Sequence, residues 1–276
     1  MRRMSLRDRP LTPMRSWWPD GPLAVPATPL DRRRLLHETW LVLGVGLGAS
    51  AIYSVLTILR RLADSRPLNQ QASQLNVSQA RQSWLDLTYQ LTGIALALVP
   101  VLLALHLLHR EMRSPATYLG LDRHHVRTDL TWGLGLAALI GIPGLGLYLI
   151  ARAAGLNTQV VAADLGHHWW SLPVLLLSAV QNAVLEEVVM VGYLYTRWTQ
   201  AGWRLSHVVL GSALIRGTYH LYQGFGGFVG NIVMGLILGL VYLRTRRVLP
   251  LVITHAVLDI IAFVGYALLR DHVSWL

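Results

Sequence analysis

The stretch Ser171–Thr196 reads SLPVLLLSAVQNAVLEEVVMVGYLYT. It is apolar for longer than the roughly 20 residues that a helix needs to cross a bilayer. Near its centre stand two carboxylates, Glu186 and Glu187. Ionisable side chains at membrane depth cost about 2.5–3.5 kcal/mol each, and they persist where they are paired or line a wet cavity. One stretch therefore places the chain in a membrane and demands partners for two charges inside it.

Similar apolar runs lie on either side. The spans predicted are Glu38–Leu59, Trp84–Leu108, Leu130–Ala151, Ser171–Thr196, Leu205–Leu221, Phe225–Leu243 and Val248–Leu269. The fifth is the shortest and carries Arg216 and His220. The fold expected is an all-α, polytopic transmembrane helix bundle of about seven spans. Composition agrees. The 276 residues are 53% hydrophobic and only 14% charged, against about 25% charged in soluble domains. Mean hydropathy is +0.43.

The net charge of +10 comes entirely from arginine. A soluble protein so basic would suggest nucleic acid. Here the arginines flank apolar runs, so no nucleic-acid partner is expected and the surrounding lipid is. Arg2 to Arg34, Arg110, Arg113, Arg123, Arg127, Arg197, Arg204, Arg244, Arg246 and Arg247 gather on one side. Arg60, Arg61, Arg66, Arg81, Arg152 and Arg270 fall on the other. That asymmetry predicts an N-in, C-out topology. An arginine-only, Ala/Leu/Val-rich chain also fits a GC-rich bacterium, so the expected location is a bacterial cytoplasmic membrane. There is no cysteine, which excludes disulfides, a thiol nucleophile and cysteine metal sites.

The organisation expected is a disordered, Arg-rich cytoplasmic tail over residues 1–36, N-terminal membrane helices over 37–165 and a catalytic helix core over 166–276. No cleavable signal peptide is apparent before the first apolar run. The loop Ala63–Ser83 reads as solvated. Within it, Asn76-Val77-Ser78 matches a glycosylation sequon by chance. His167-His168-Trp169-Trp170 reads as an interfacial anchor rather than a metal site. Gly44/Gly48, Gly226/Gly230 and Gly235/Gly239 read as close helix-packing positions.

The remaining polar residues at membrane depth fall in the C-terminal half. Gln181 and Asn182 precede the two glutamates. Neighbours on an α-helix point about 100° apart, so one glutamate is expected to face a cavity and the other a different neighbour. Arg216 and His220 stand four apart and share a face, as do His255 and Asp259. Asp259 could fix the tautomer of His255. A buried carboxylate beside two imidazoles can activate water and share its proton. A second histidine can stabilise an oxyanion. Glu186, His220 and His255 could instead bind a divalent metal such as zinc. Glu187 could equally be a structural carboxylate paired with Arg216, and Asp259 a satisfied core group. HExxH, GxSG and GxGD motifs are absent.

At these residues the sequence resembles the CPBP intramembrane proteases, which include the CAAX prenyl endopeptidases and bacterial Abi-type proteins. The matching motifs are Glu186-Glu187-Val188-Val189-Met190-Val191, Arg216-Gly217-Thr218-Tyr219-His220-Leu221 and His255-Ala256-Val257-Leu258-Asp259, in that order, within residues 171–269. The resemblance implies an intramembrane endopeptidase. Glu186 would activate water with His220, His255 and Asp259 would support the tetrahedral intermediate, and Glu187 would orient or pair. It leaves metal and metal-free mechanisms both open. Its substrate would be a peptide or a membrane-associated protein. Two positions depart from the pattern: Val191 stands where the family's EExxxR arginine is expected, and Arg216 where an aromatic is. Arg216 is therefore expected to supply the missing counter-charge from the neighbouring helix. The alternative is a non-catalytic membrane protein of the same fold, such as a proton-coupled carrier, an immunity protein or a scaffold.

Overall fold

The computed structural model describes residues 29–270 and 272. Residues 1–28, most of the expected tail, lie outside the described residues. The rest of that segment is helical, because α1 (Pro29–Gly44) already begins at Pro29. The helix α2 (Leu47–Leu62) follows at a bend of 57°. The predicted first span is thus a broken pair, and Gly44 marks the break rather than a packing face: nothing stands within 4 Å of where its Cβ would be.

Among the described residues, five helices are long and apolar enough to cross a membrane, or six if the bent pair counts as one span. The first joins α3 (Ser83–Ala97) to α4 (Val99–His109), with Pro100 in the first turn of α4. After the short α5 (Pro115–Tyr118) comes α6 (Val126–Ala153), with Pro143 inside it. The third begins as α7 (Ser171–Glu186), widens into a π-helical stretch over Glu187–Tyr193, and ends as α8 (Leu194–Gln200). The fourth and fifth are α10 (Phe225–Thr245) and α11 (Leu249–Leu269), the latter opened by Pro250. One hydrophobic core joins N-terminal and C-terminal helices through Val42, Leu108, Tyr193, Leu238 and Leu251.

The remaining helix, α9 (Leu205–His220), was expected to span. Its 16 residues reach only about 24 Å at 1.5 Å per residue, short of a hydrocarbon core of about 30 Å. The chain turns through a short 3-10 segment, Leu221–Gln223, and through Gly224 at φ +116° into α10. A Cβ at Gly224 would also strike the Leu156 carbonyl and Asn157. So α9 and α10 form a hairpin, and its apex lies beside His220.

A hairpin apex at membrane depth exposes backbone polar groups that must find partners. They find them in two loops. Strand β1 (Ala72–Gln74) pairs in parallel with β2 (Gln159–Val161). The Asn157 side-chain oxygen accepts from the amides of Gly226 (2.8 Å) and Gly227 (3.2 Å), at the start of α10. The Thr158 amide donates to the Gln223 carbonyl, and the Phe225 amide to the Leu156 carbonyl. The buried Ser73 hydroxyl donates to the Tyr222 carbonyl and meets Thr158 Oγ1 at 2.7 Å. Arg61 donates to Ser73 Oγ (2.7 Å) and to the Ala72 carbonyl (3.0 Å). The loop expected to be solvated is therefore a structured cap, because the apex needs it. Within the cap the Asn76 amide donates to the Ala162 carbonyl.

The paired tryptophans divide. Trp169 is exposed. Trp170 is buried, stacks on His168 and donates its indole N–H to Ser83 Oγ at 3.0 Å. Only Trp169 has the exposure of an interfacial anchor. The other glycine pairs do mark close approaches. Gly230 faces Leu147 of α6, and Gly235 faces Ala213 and the Arg216 stem of α9.

Candidate active site

Three segments converge inside the bundle: the junction of α7 with the π-helical stretch, the C-terminal turn of α9 and the first half of α11. Extra residues in a helical turn commonly mark functional sites, and here the widening begins at Glu187. Ser212 of α9 supports it by donating to the Met190 carbonyl at 2.8 Å. A wider turn narrows the angle between successive side chains. Glu186 and Glu187 accordingly do not diverge as expected. Both meet Arg216 and His255.

Arg216 is 1% exposed and lies between the two carboxylates. Its Nη2 stands 2.7 Å from Glu187 Oε1 and its Nη1 3.4 Å from Glu186 Oε2. The glycine at 235 makes room for its stem, since a Cβ there would come within 3.2 Å of Arg216 Cδ. Glu187 is fully buried; its Oε1 also accepts from His255 Nδ1 at 2.8 Å. A carboxylate only accepts, so Nδ1 carries the proton and Nε2 is turned toward the site. Glu187, not Asp259, thus accepts the Nδ1 hydrogen bond and orients the ring. Asp259 lies on the other side, 3.8 Å from Nε2, and accepts from the Asn182 amide at 3.4 Å.

Glu186 is not fully enclosed: its side chain is 10% exposed, and that of Asp259 is 21%. Tyr219 donates its hydroxyl to Glu186 Oε2 at 2.7 Å, and His255 Nε2 stands 3.9 Å from the same oxygen. His220 is tied through Nδ1 to the Arg216 carbonyl at 3.1 Å. A carbonyl can only accept, so this imidazole also presents Nε2. Its ring packs against that of Tyr219, 4.8 Å between centroids, next to the hydroxyl that Glu186 accepts from.

The structure thus gathers Glu186, Glu187, Arg216, His255 and Asp259 into one cluster and sets His220 beside it. Two members had been given no role from sequence. Tyr219 carried a signal, since it stands three residues from Arg216 and so shares its helix face. Asn182, noted as polar at membrane depth, stands four residues before Glu186, also on one face. The π-helical widening left no signal in residue type.

Both imidazoles present Nε2, as metal-binding histidines do. Yet among the described residues no group of three or more His, Asp or Glu side chains stands where it could hold an ion. The Arg216 guanidinium already occupies both carboxylates, where a cation would compete with it. As arranged, these residues do not fit a metal site.

Residues 168–261 match the family described as Type II CAAX prenyl endopeptidase Rce1-like. The matched segment begins just before α7 and ends within α11, so it contains the whole ionic cluster. No curated protein and no solved structure gives a match. Apolar helices of spanning length, together with this match, make the chain an integral membrane protein. The EE-, H- and HxxxD-bearing helix core lies wholly within the matched segment, so over residues 168–261 the chain is similar to the CPBP/CAAX protease family.

Proposed function

We propose that this protein is an intramembrane endopeptidase in which Glu186 activates the attacking water. Glu186 takes a proton from water held between its carboxylate and His220 Nε2. The hydroxide forms a bond to the scissile carbonyl carbon, and the carbonyl π electrons move to oxygen. His255, as imidazolium, donates from Nε2 to that oxyanion, and the Asn182 amide beside Asp259 is a second donor. Glu186 then returns the proton to the amide nitrogen as the C–N bond breaks. The products are one carboxylate and one amine. The substrate in this reading is a peptide or membrane-associated protein, cleaved in a bacterial cytoplasmic membrane.

The observation that carries the reading is the division of labour between adjacent glutamates. Glu187 is fully buried against Arg216 and His255, whereas Glu186 stands near the same two side chains and stays partly exposed. A purely structural pair would not need one member left accessible. The test is cleavage of a peptide library by the reconstituted protein and by Glu186→Gln. General-base loss lowers the rate by about 10²–10⁴-fold, so cleavage should disappear with Glu186→Gln. Equal cleavage by both proteins would refute the mechanism. A chelator arm decides whether a metal contributes.

A further inference from the structure

Every polar contact of Glu186 converges on one oxygen. The Tyr219 hydroxyl at 2.7 Å, Arg216 Nη1 at 3.4 Å and His255 Nε2 at 3.9 Å all address Oε2. Oε1 takes part in none of them. It is also absent from the buried polar atoms that lack a partner, so within a side chain that keeps 10% exposure it is the oxygen left accessible.

Of the three groups on Oε2, two are shared. Arg216 is closer to Glu187, at 2.7 Å, than to Glu186. His255 is closer to Glu187, at 2.8 Å, and lies beyond hydrogen-bond distance from Glu186. Tyr219 alone makes a short hydrogen bond to Glu186. Its ring is buried and packs against His220 at 4.8 Å between centroids. A tyrosine so held has its hydroxyl direction fixed by packing.

We infer that Tyr219 is a positioning residue: its hydroxyl pins Oε2 of Glu186, so that Oε1 alone faces the reacting water. The inference rests on the protease reading for its purpose but not for its geometry. A carboxylate free to rotate presents either oxygen and spends its lone pairs on Arg216. One pinned by Tyr219 keeps the second oxygen in a single direction, which is what proton transfer needs. The adjacency of Tyr219 to His220 couples the pin to the histidine that holds the same water.

The test uses Tyr219→Phe, which deletes one oxygen and leaves the ring packed on His220. Two readouts are taken on the full chain in lipid nanodiscs. The first is infrared spectroscopy of the Glu186 carboxylate, isolated as the difference between each protein and its Glu186→Gln counterpart. Loss of the donor should shift that band in the Tyr219→Phe background, and coincident bands would overturn the inference whatever the activity. The second is the kinetics of library cleavage. A hydrogen bond to a charged group is worth about tenfold to a hundredfold in rate, so kcat should fall by about that factor with KM changed less than about twofold. A shifted band with unchanged kcat would refute the positioning role. If the wild type cleaves no peptide, the protease reading fails, and the band alone decides whether Tyr219 pins Oε2.

Discussion

Replacing Arg216 with leucine should be among the most damaging single substitutions in the chain. Its guanidinium is 1% exposed and contacts Glu187, which is fully buried, at 2.7 Å. It also contacts Glu186 at 3.4 Å. Even at an effective dielectric of about 20, unit charges about 4 Å apart attract by about 4 kcal/mol. Removing one partner of a buried pair costs about 3–5 kcal/mol, because the other charge stays behind unpaired. Two carboxylates are left here, so Arg216→Leu belongs at the upper end of that range. Against a total stability of about 5–15 kcal/mol, the variant should be near unfolding. At about 2–4 °C per kcal/mol, that is a fall of roughly 6–20 °C in melting temperature in detergent, read by tryptophan fluorescence. Arg216→Lys keeps the charge but lacks the fork that reaches both carboxylates, so it should recover only part of the loss. Arg216→Met with Glu187→Gln removes both charges, and it should be markedly more stable than Arg216→Leu alone. If Arg216→Leu melts within a degree or two of wild type, or the double variant is no better than the sum of its parts, the ion pair is not what holds these helices together.

Other substitutions test the surroundings. A Cβ at Gly239 would overlap the Tyr195 hydroxyl, so Gly239→Ala should cost about 1–3 kcal/mol by overpacking; adding Tyr195→Phe should relieve most of it, and no relief would mean that the clash lies elsewhere. Outside the spans, Asp122 is held below the usual carboxylate value, first by the His124 amide and then by Arg247. A carboxyl lowered on folding stabilises the protein above the unfolded value of about 3.9 and loses that contribution as pH falls below it. Asp122→Asn should therefore lower the melting temperature near neutral pH, and the difference should shrink as pH falls below the unfolded value and through the lower folded one. A uniform loss across the whole pH range would show that the contact acts through geometry instead.

The helix bundle and most of its site were legible because membrane insertion penalises exceptions. In Ser171–Thr196 only a few residues are polar, so Glu186 and Glu187 stand out, and Arg216, His220, His255 and Asp259 stand out for the same reason. The i, i+4 spacings then gave the faces correctly. What could not be read was geometry that departs from a regular helix. The π-helical stretch from Glu187 brings both carboxylates to one cluster, yet Val-Val-Met-Val has no composition that distinguishes it from α-helix. The cap was hidden for the opposite reason. The loop from Ala63 to Ser83 is polar, and polarity alone does not distinguish a segment solvated by water from one that satisfies a buried backbone. Ser73 does the latter, and only the end of α9 at His220 explains why it must.

Hydrolysis inside a membrane sets two demands that oppose each other. The reacting groups need water, while the bilayer and the helices around them exclude it. Rigid placement of a carboxylate calls for burial and ion pairs, yet a carboxylate fully engaged by ion pairs has no lone pair left for a proton. Adjacent glutamates divide the two demands. Glu187 gives up both oxygens to the interior: one holds Arg216 and His255, and the other is buried without a hydrogen bond. That anchors the α7, α9 and α11 contributions to one point. Glu186, one residue earlier, inherits the position through the backbone and meets the same two side chains at longer range, 3.4 and 3.9 Å. It therefore needs less from them and keeps one oxygen open. Moving the counter-charge from position 191 on the glutamates' own helix to position 216 suits this arrangement. An arginine that arrives from α9 brings Tyr219 and His220 with it in the same turn, so one helix turn supplies the charge, a hydroxyl on Glu186 Oε2 and a second imidazole together.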